Sequence, residues 1–171
     1  PVATIPALEY LTLHGCGLSS VSELATLPRL EQLSVTDNQL SDLDGVAGMG
    51  KLRRLWAGHN QIVDVTALAG LDELDALELD HNQLVDITPL AGLTGLTLLR
   101  IGDNQISDLT PLAAAVKLNY LTIDDNPLNG LQGLEGLPMS FLSAANTGLA
   151  ALPEGLPAGM RYLNVARNHI G

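Results

Sequence analysis

Three stretches decide the fold: LRRLWAGHNQI (Leu52–Ile62), LDALELDHNQL (Leu74–Leu84) and LTLLRIGDNQI (Leu96–Ile106), each starting 22 residues after the last. The same opening extends outward in both directions. LEYLTLHGCGL starts at Leu8, LEQLSVTDNQL at Leu30 and LNYLTIDDNPL at Leu118, all in step, followed by MSFLSAANTGL from Met139 and MRYLNVARNHI from Met160. Numbering places from the leading Leu or Met, apolar residues occupy places 1, 4, 6 and 11 and an Asn usually stands at place 9. Places 3 to 7 alternate outward and inward, as a short strand does. No single copy can bury its Leu face, but neighbours stacked in register can, which gives a continuous core built from eight units, the last cut short.

These openings resemble the leucine-rich repeat consensus LxxLxLxxNxL over essentially the whole chain. The resemblance implies an α/β leucine-rich repeat fold. It is a right-handed solenoid with one strand per repeat in a concave parallel sheet, and short 3₁₀ or single-turn helices and turns on the convex side. Eight strands at the usual spacing make a sheet about 34 Å long. Residues 1–171 are read as a single domain with both ends cut within a repeat. Pro1–Ala7 fits the tail of a preceding unit, with Val2 and Ile5 in core places, and Gly171 follows a place-11 residue. This reading implies a fragment of a longer protein, or ends that pack against copies of themselves. The VDITPLAGL and SDLTPLAAA segments resemble the 22-residue repeats of bacterial internalins, and GLAALPEGLPAGMRYLNVARNHI resembles the LPxG-type repeats of type III secretion effectors.

Asn38, Asn60, Asn82, Asn104, Asn126 and Asn168 share place 9, where the chain leaves its strand and its backbone groups need internal partners. Cys16 and Thr147 hold the same place, so Cys16 is expected to be structural. In the return segments Ser22, Thr66, Thr88 and Thr110 are expected to cap short helices, with Pro89 and Pro111 in the first position.

Composition narrows the function. The chain is 46% hydrophobic and 16% charged, with 36 Leu but only five aromatic residues, so aliphatic side chains must fill the core. Eight Lys plus Arg against 19 Asp plus Glu, a net charge of −11, argues against nucleic acid or an anionic membrane as partner. The single cysteine excludes an internal disulfide and any multi-cysteine metal site. The longest uncharged run, Gly136–Pro153, is interrupted by Pro138, Asn146, Thr147 and Gly148 and does not read as a membrane span. No secretory leader is visible.

Outward strand places 3 and 5 carry whatever chemistry the sheet offers. All five aromatics, Tyr10, Trp56, Tyr120, Phe141 and Tyr162, fall in these two columns and none in a core place. Aromatic and Arg side chains dominate interface energetics; the plainer reading is that the rings only shield the sheet. One candidate patch joins Arg54, Trp56, Glu78, Leu98 and Arg100, with Trp56 as anchor. There, Arg54 and Arg100 are also candidates to pair with Glu78. A second patch joins Tyr120, Phe141 and Tyr162, whose rings can stack as a ladder.

Place 8 carries Asp37, His59, His81, Asp103 and Asp125. Two His beside carboxylates suggest a divalent metal or a pH-sensitive spot, but solvated turn residues are the preferred reading, and no metal or other cofactor is assigned. His14 and Cys16 should diverge, and no phosphate loop, GxSxG elbow or HExxH is present. The chain is therefore read as a non-catalytic module that binds a protein partner through its concave face, with end-to-end self-association through its open ends as a further expectation. The internalin resemblance implies a secreted or surface-attached parent. The alternatives are the substrate-recognition arm of a larger effector enzyme delivered to a host cytosol, such as a ubiquitin ligase, and an architectural spacer.

Overall fold

The computed structural model describes residues 5–152 and 155–171, so Val2 and the Pro153–Glu154 pair of the LPxG segment lie outside the described residues. Eight strands pair in chain order as one parallel sheet: β1 Tyr10–Thr12, β2 Gln32–Ser34, β3 Arg54–Trp56, β4 Ala76–Glu78, β5 Leu98–Arg100, β6 Tyr120–Thr122, β7 Phe141–Ser143 and β8 Tyr162–Asn164. Each strand is places 3 to 5 of its repeat, and pairing runs place for place, Leu55 opposite Leu77 and Leu77 opposite Leu99. Tyr120 still pairs with Phe141 although that repeat is one residue short, so the deletion is absorbed in the return segment.

Behind the sheet the apolar residues recur every third position. Ile62, Val65, Leu68, Leu71 and Leu74 are all at most 2% exposed. A 3₁₀ helix has three residues per turn, so this spacing lines one apolar row along its inner side. Helices of this type occupy Ser22–Thr26, Asp44–Val46, Thr66–Leu68, Thr88–Gly92 and Thr110–Ala114. Gly45, in the second of these, lies so close to the neighbouring repeat that a Cβ there would sit 1.8 Å from the Val21 carbonyl oxygen.

The helices are not capped by the expected Ser and Thr. Those residues are the first helical positions, the cap positions are apolar (Val65, Ile87 and Leu109, for example), and Pro89 and Pro111 follow in second place. The acceptor comes from two residues upstream of the first helical residue. Asp64, Asp86 and Asp108 accept the N–H groups of Thr66, Thr88 and Thr110, each at 2.8 Å. A short aspartate side chain reaches its own backbone two residues on, whereas an apolar cap residue offers no oxygen.

The asparagine column closes every interface it occupies. Nδ2 of Asn82 donates to the carbonyls of Leu79 and Asp80 in its own repeat and of Ala57 in the preceding one, while its Oδ1 accepts the Ile62 N–H at 2.9 Å. The same set recurs at Asn104 and Asn126. Thr147 keeps fewer links, its hydroxyl lying 2.9 Å from the Ala144 carbonyl and 3.2 Å from the Asn168 Oδ1.

Two expectations fail at the open ends. Cys16 is exposed, its thiol donating to the His14 carbonyl at 3.6 Å, and Ile5 is 49% exposed rather than in the core. Both belong to the edge of the stack, where β1 has no described strand beyond it to cover inward-facing groups. At the other edge Leu163 and Ile170 are 36% and 38% exposed for the same reason.

Asn82→Leu is expected to lower unfolding free energy by about 3 kcal/mol, since it strands buried groups at about 1–3 kcal/mol each. Asn82→Thr should lose less, and urea unfolding of the two variants checks the order. The capping contacts to Thr66, Thr88 and Thr110 hold Asp64, Asp86 and Asp108 below the usual carboxylate pKa. A depressed carboxylate contributes stability above its ordinary pKa that disappears as pH falls through the folded value. The stability gap between wild type and the Asp64→Asn, Asp86→Asn, Asp108→Asn variant should therefore close between neutral pH and about pH 2.

Candidate functional site

The register brings the outward residues into two columns on the concave face. In the first, Leu98, Tyr120, Phe141 and Tyr162 follow one another on β5 to β8. The three rings stack, with centroids 4.0 and 4.2 Å apart and planes within 10° and 5°. The Arg100 guanidinium lies over the Tyr120 ring, 5.5 Å from its centroid, and closes one end of the ladder.

The second column carries Trp56, Glu78 and Arg100 on β3 to β5. Trp56 is half-buried beside a shallow hollow of about 290 Å³ whose wall includes Arg54, Asp75, Glu78 and Leu98. Arg100 faces Glu78, Nε to Oε1 at 3.8 Å. That is too long for a hydrogen bond, and this Nε is buried without a hydrogen-bond partner. Arg54 does not pair with Glu78. Its strand position is opposite Ala76, and its Nε meets Asp75, one residue earlier, at 3.7 Å, a carboxylate it shares with Arg53. These contacts are half-exposed and contribute little stability.

Place 8 has a backbone explanation that the sequence alone does not reveal. Asp37, His59, His81, Asp103, Asp125, Asn146 and Arg167 all adopt φ between 52° and 58°, the left-handed region in which Asn, Asp and His are enriched. Within this rim the His59 and His81 rings stack at 4.1 Å, His81 Nδ1 contacts Asp103, and His14 Nδ1 lies 3.4 Å from Asp37. The His14 ring thus faces Asp37, while the Cys16 thiol meets the His14 backbone carbonyl and not its ring. No group of three or more His, Cys, Asp or Glu among the described residues is arranged to hold a metal ion.

Sequence reasoning passed over place 7, where Asp80 and Asp124 stand. With Asp37, Glu78, Asp103 and Asp125 they line one open cleft of about 590 Å³ where the strands end. Asp80 accepts the Gly102 N–H at 2.8 Å, and Asp124 accepts the Ser143 hydroxyl and the Ala145 N–H, both at 2.6 Å. Burial pushes the Asp80 carboxyl above its usual pKa, opposed by the Gly102 hydrogen bond and by Arg100. The signal was available, since place 7 points outward and alternates Gly58, Asp80, Gly102 and Asp124.

A family profile described as "Leucine Rich repeats (2 copies)" matches residues 6–48, and one described as "Leucine rich repeat" matches residues 28–84. Among solved structures, an internalin (inlF) of Listeria monocytogenes is 32% identical with a TM-score of 0.95, over 99% of this chain and 51% of that one. An internalin C2 (inlC2) of the same species is 31% identical with a TM-score of 0.71, over 95% of this chain and 79% of that one. A leucine-rich repeat protein of Leptospira interrogans is 27% identical with a TM-score of 0.92, over 98% of this chain and 45% of that one. No curated protein matches the chain. The class is a leucine-rich repeat solenoid. Within it, the chain belongs to the bacterial internalin-like leucine-rich repeat proteins, and it spans about half the length of the inlF internalin.

A raised carboxylate pKa costs stability at neutral pH, and the cost is relieved as pH falls through the folded value. Asp80→Asn keeps an oxygen for the Gly102 N–H. Its melting temperature is expected to exceed that of wild type at pH 7, by less than about 1 kcal/mol in stability, and to match it in acid, as differential scanning calorimetry at the two pH values would show.

Proposed function

We propose that the chain binds a protein partner across its concave face, with Trp56, Arg54, Glu78, Leu98 and Arg100 as one contact area and Tyr120, Phe141 and Tyr162 as the other. Solenoids of stacked repeats present extended concave surfaces of this kind for recognition. The observation that carries the reading is the segregation of side chains. All five aromatics lie in the outward columns of the sheet, while the core is filled by Leu, Ile, Val, Ala and Met. Stacking also bears on the type of ligand. Phe141 is sandwiched between Tyr120 and Tyr162, and Tyr120 is covered by Arg100, so these two rings offer edges rather than open faces, while Tyr162, 47% exposed at the end of the ladder, keeps one face open. A sugar or a nucleobase needs a free face to stack on, whereas a protein surface packs against edges equally well.

The proposed setting is an exported or surface-attached parent protein, supported by the likeness to internalins.

The test is affinity capture from host and bacterial lysates with wild type beside a Trp56→Ala, Tyr120→Ala variant of matched melting temperature. Each anchor is worth about 2 kcal/mol or more, roughly thirtyfold in affinity, so the variant should lose the partners that wild type retains. Equal recovery by both proteins would remove this surface from consideration.

A further inference from the structure

The two margins of the concave sheet differ in charge. Where the chain enters the strands, Lys51, Arg53 and Arg54 lie against Glu73 and Asp75, at 2.7 to 3.8 Å, and the charges offset one another. Where the strands end, the cleft gathers Asp37, Glu78, Asp80, Asp103, Asp124 and Asp125, and Arg100 is the one Lys or Arg in its lining. Several of these carboxylates are held by neutral donors that orient them without cancelling their charge: the Gly102 N–H on Asp80, the Ser143 hydroxyl and Ala145 N–H on Asp124, and the Asn146 amide on Asp125. Arg100 faces Glu78 and lies over Tyr120, so it offsets one of the six carboxylates, and His81 contacts Asp103. The cleft runs along five successive strands, about 19 Å, which exceeds the Debye length of about 8 Å at physiological salt, so each cation in it feels chiefly the nearest carboxylates, and low salt extends their reach.

A second feature adjoins it. The cleft lies along the ends of β2 to β6, and the ring ladder runs at place 3 from β6 to β8, so the two meet at β6, where Tyr120 stands at place 3 and Asp124 and Asp125 at places 7 and 8. An extended chain laid across the strands would pass from the cleft onto the ladder.

Building on the concave-face reading above, we infer that the occupant of this surface is an extended segment of a protein partner with a Lys- or Arg-rich half followed or preceded by an apolar half, the cations entering the carboxylate cleft along β2 to β6 and the apolar side chains lying on the ring ladder along β6 to β8. Charge complementarity selects this partner chemistry over an acidic segment, which the six carboxylates would repel.

The probe is a random twelve-residue peptide library displayed on phage and selected on the wild-type chain at low salt, with individual winners then measured by calorimetry. Three variants accompany it. Asp80→Asn, Asp103→Asn, Asp125→Asn removes three of the six cleft carboxylates; Asn is tolerated at the left-handed φ of Asp103 and Asp125, so the fold is kept. Glu9→Gln, Glu23→Gln, Asp72→Asn removes the same charge from exposed sites off the concave face. Trp56→Ala, Tyr120→Ala removes one ring from each contact area. The expected result is enrichment of peptides with a Lys- or Arg-rich half and an apolar half, weakened about tenfold or more by the cleft variant, weakened by added salt, and nearly unaffected by the off-face control. Winners that are neutral or acidic, or that ignore the cleft variant yet depend on Trp56 and Tyr120, would overturn the basic partner and leave concave-face binding standing. Winners indifferent to both the cleft and the ring variants would overturn concave-face binding itself, and absence of any enrichment would overturn the inference.

Discussion

One primary amide per repeat holds the stack together. The place-9 asparagine spends its two N–H groups and its oxygen on backbone partners in two successive turns of the chain, as Asn82 does on Ala57 and Ile62 behind it and Leu79 and Asp80 in its own repeat. Each of those backbone groups has left a strand and would otherwise be buried without a partner. Hydrophobic packing between repeats is non-directional and would tolerate small slips. The amide does not, because moving one repeat along its neighbour breaks several short hydrogen bonds together. Strand register, and with it the alignment of outward columns, follows from this contact.

A fixed register converts a sequence pattern into a surface. Because strands pair place for place, residues 21 or 22 positions apart become neighbours, and three aromatic residues that are far apart along the chain become a continuous ladder. The same constraint makes the cleft. Glu78 at place 5, Asp80 at place 7 and Asp103 at place 8 of the next repeat converge on one volume because each column runs parallel to the others. The left-handed backbone at place 8 restricts which residues can stand there, so part of the acidic rim follows from turn geometry alone. Asp80 and Asp124 face no such restriction; place 7 accepts Thr36, Gly58 and Ala145 as readily.

Departures from the repeat show where the constraints relax. Thr147 replaces the amide with a hydroxyl that reaches the Ala144 carbonyl and the Asn168 Oδ1, and the Leu128 N–H then turns to the carbonyls of Asn126 and Thr147 instead. The 21-residue repeats keep their strands in register and give up a residue in the convex return, which among the described residues holds turns in place of a 3₁₀ helix there. The convex side is therefore the adjustable part of each repeat and the sheet side the invariant one.

Periodicity by itself determined the strands, the inward Leu, Val and Ile positions, the asparagine column and the segregation of rings on the sheet, because each of these depends only on which place a residue occupies within its repeat. The tertiary structure alone decided that Arg54 meets Asp75 instead of Glu78, that aspartates rather than the following Ser and Thr satisfy the helix starts, that Cys16 lies open at the edge of the sheet, and that places 5, 7 and 8 of neighbouring repeats share one cleft. Such outcomes turn on a few ångströms between side chains of different repeats and on the φ of a single residue. Spacing along the chain assigns a residue to its column, but it does not specify how far a side chain reaches or which neighbour it meets.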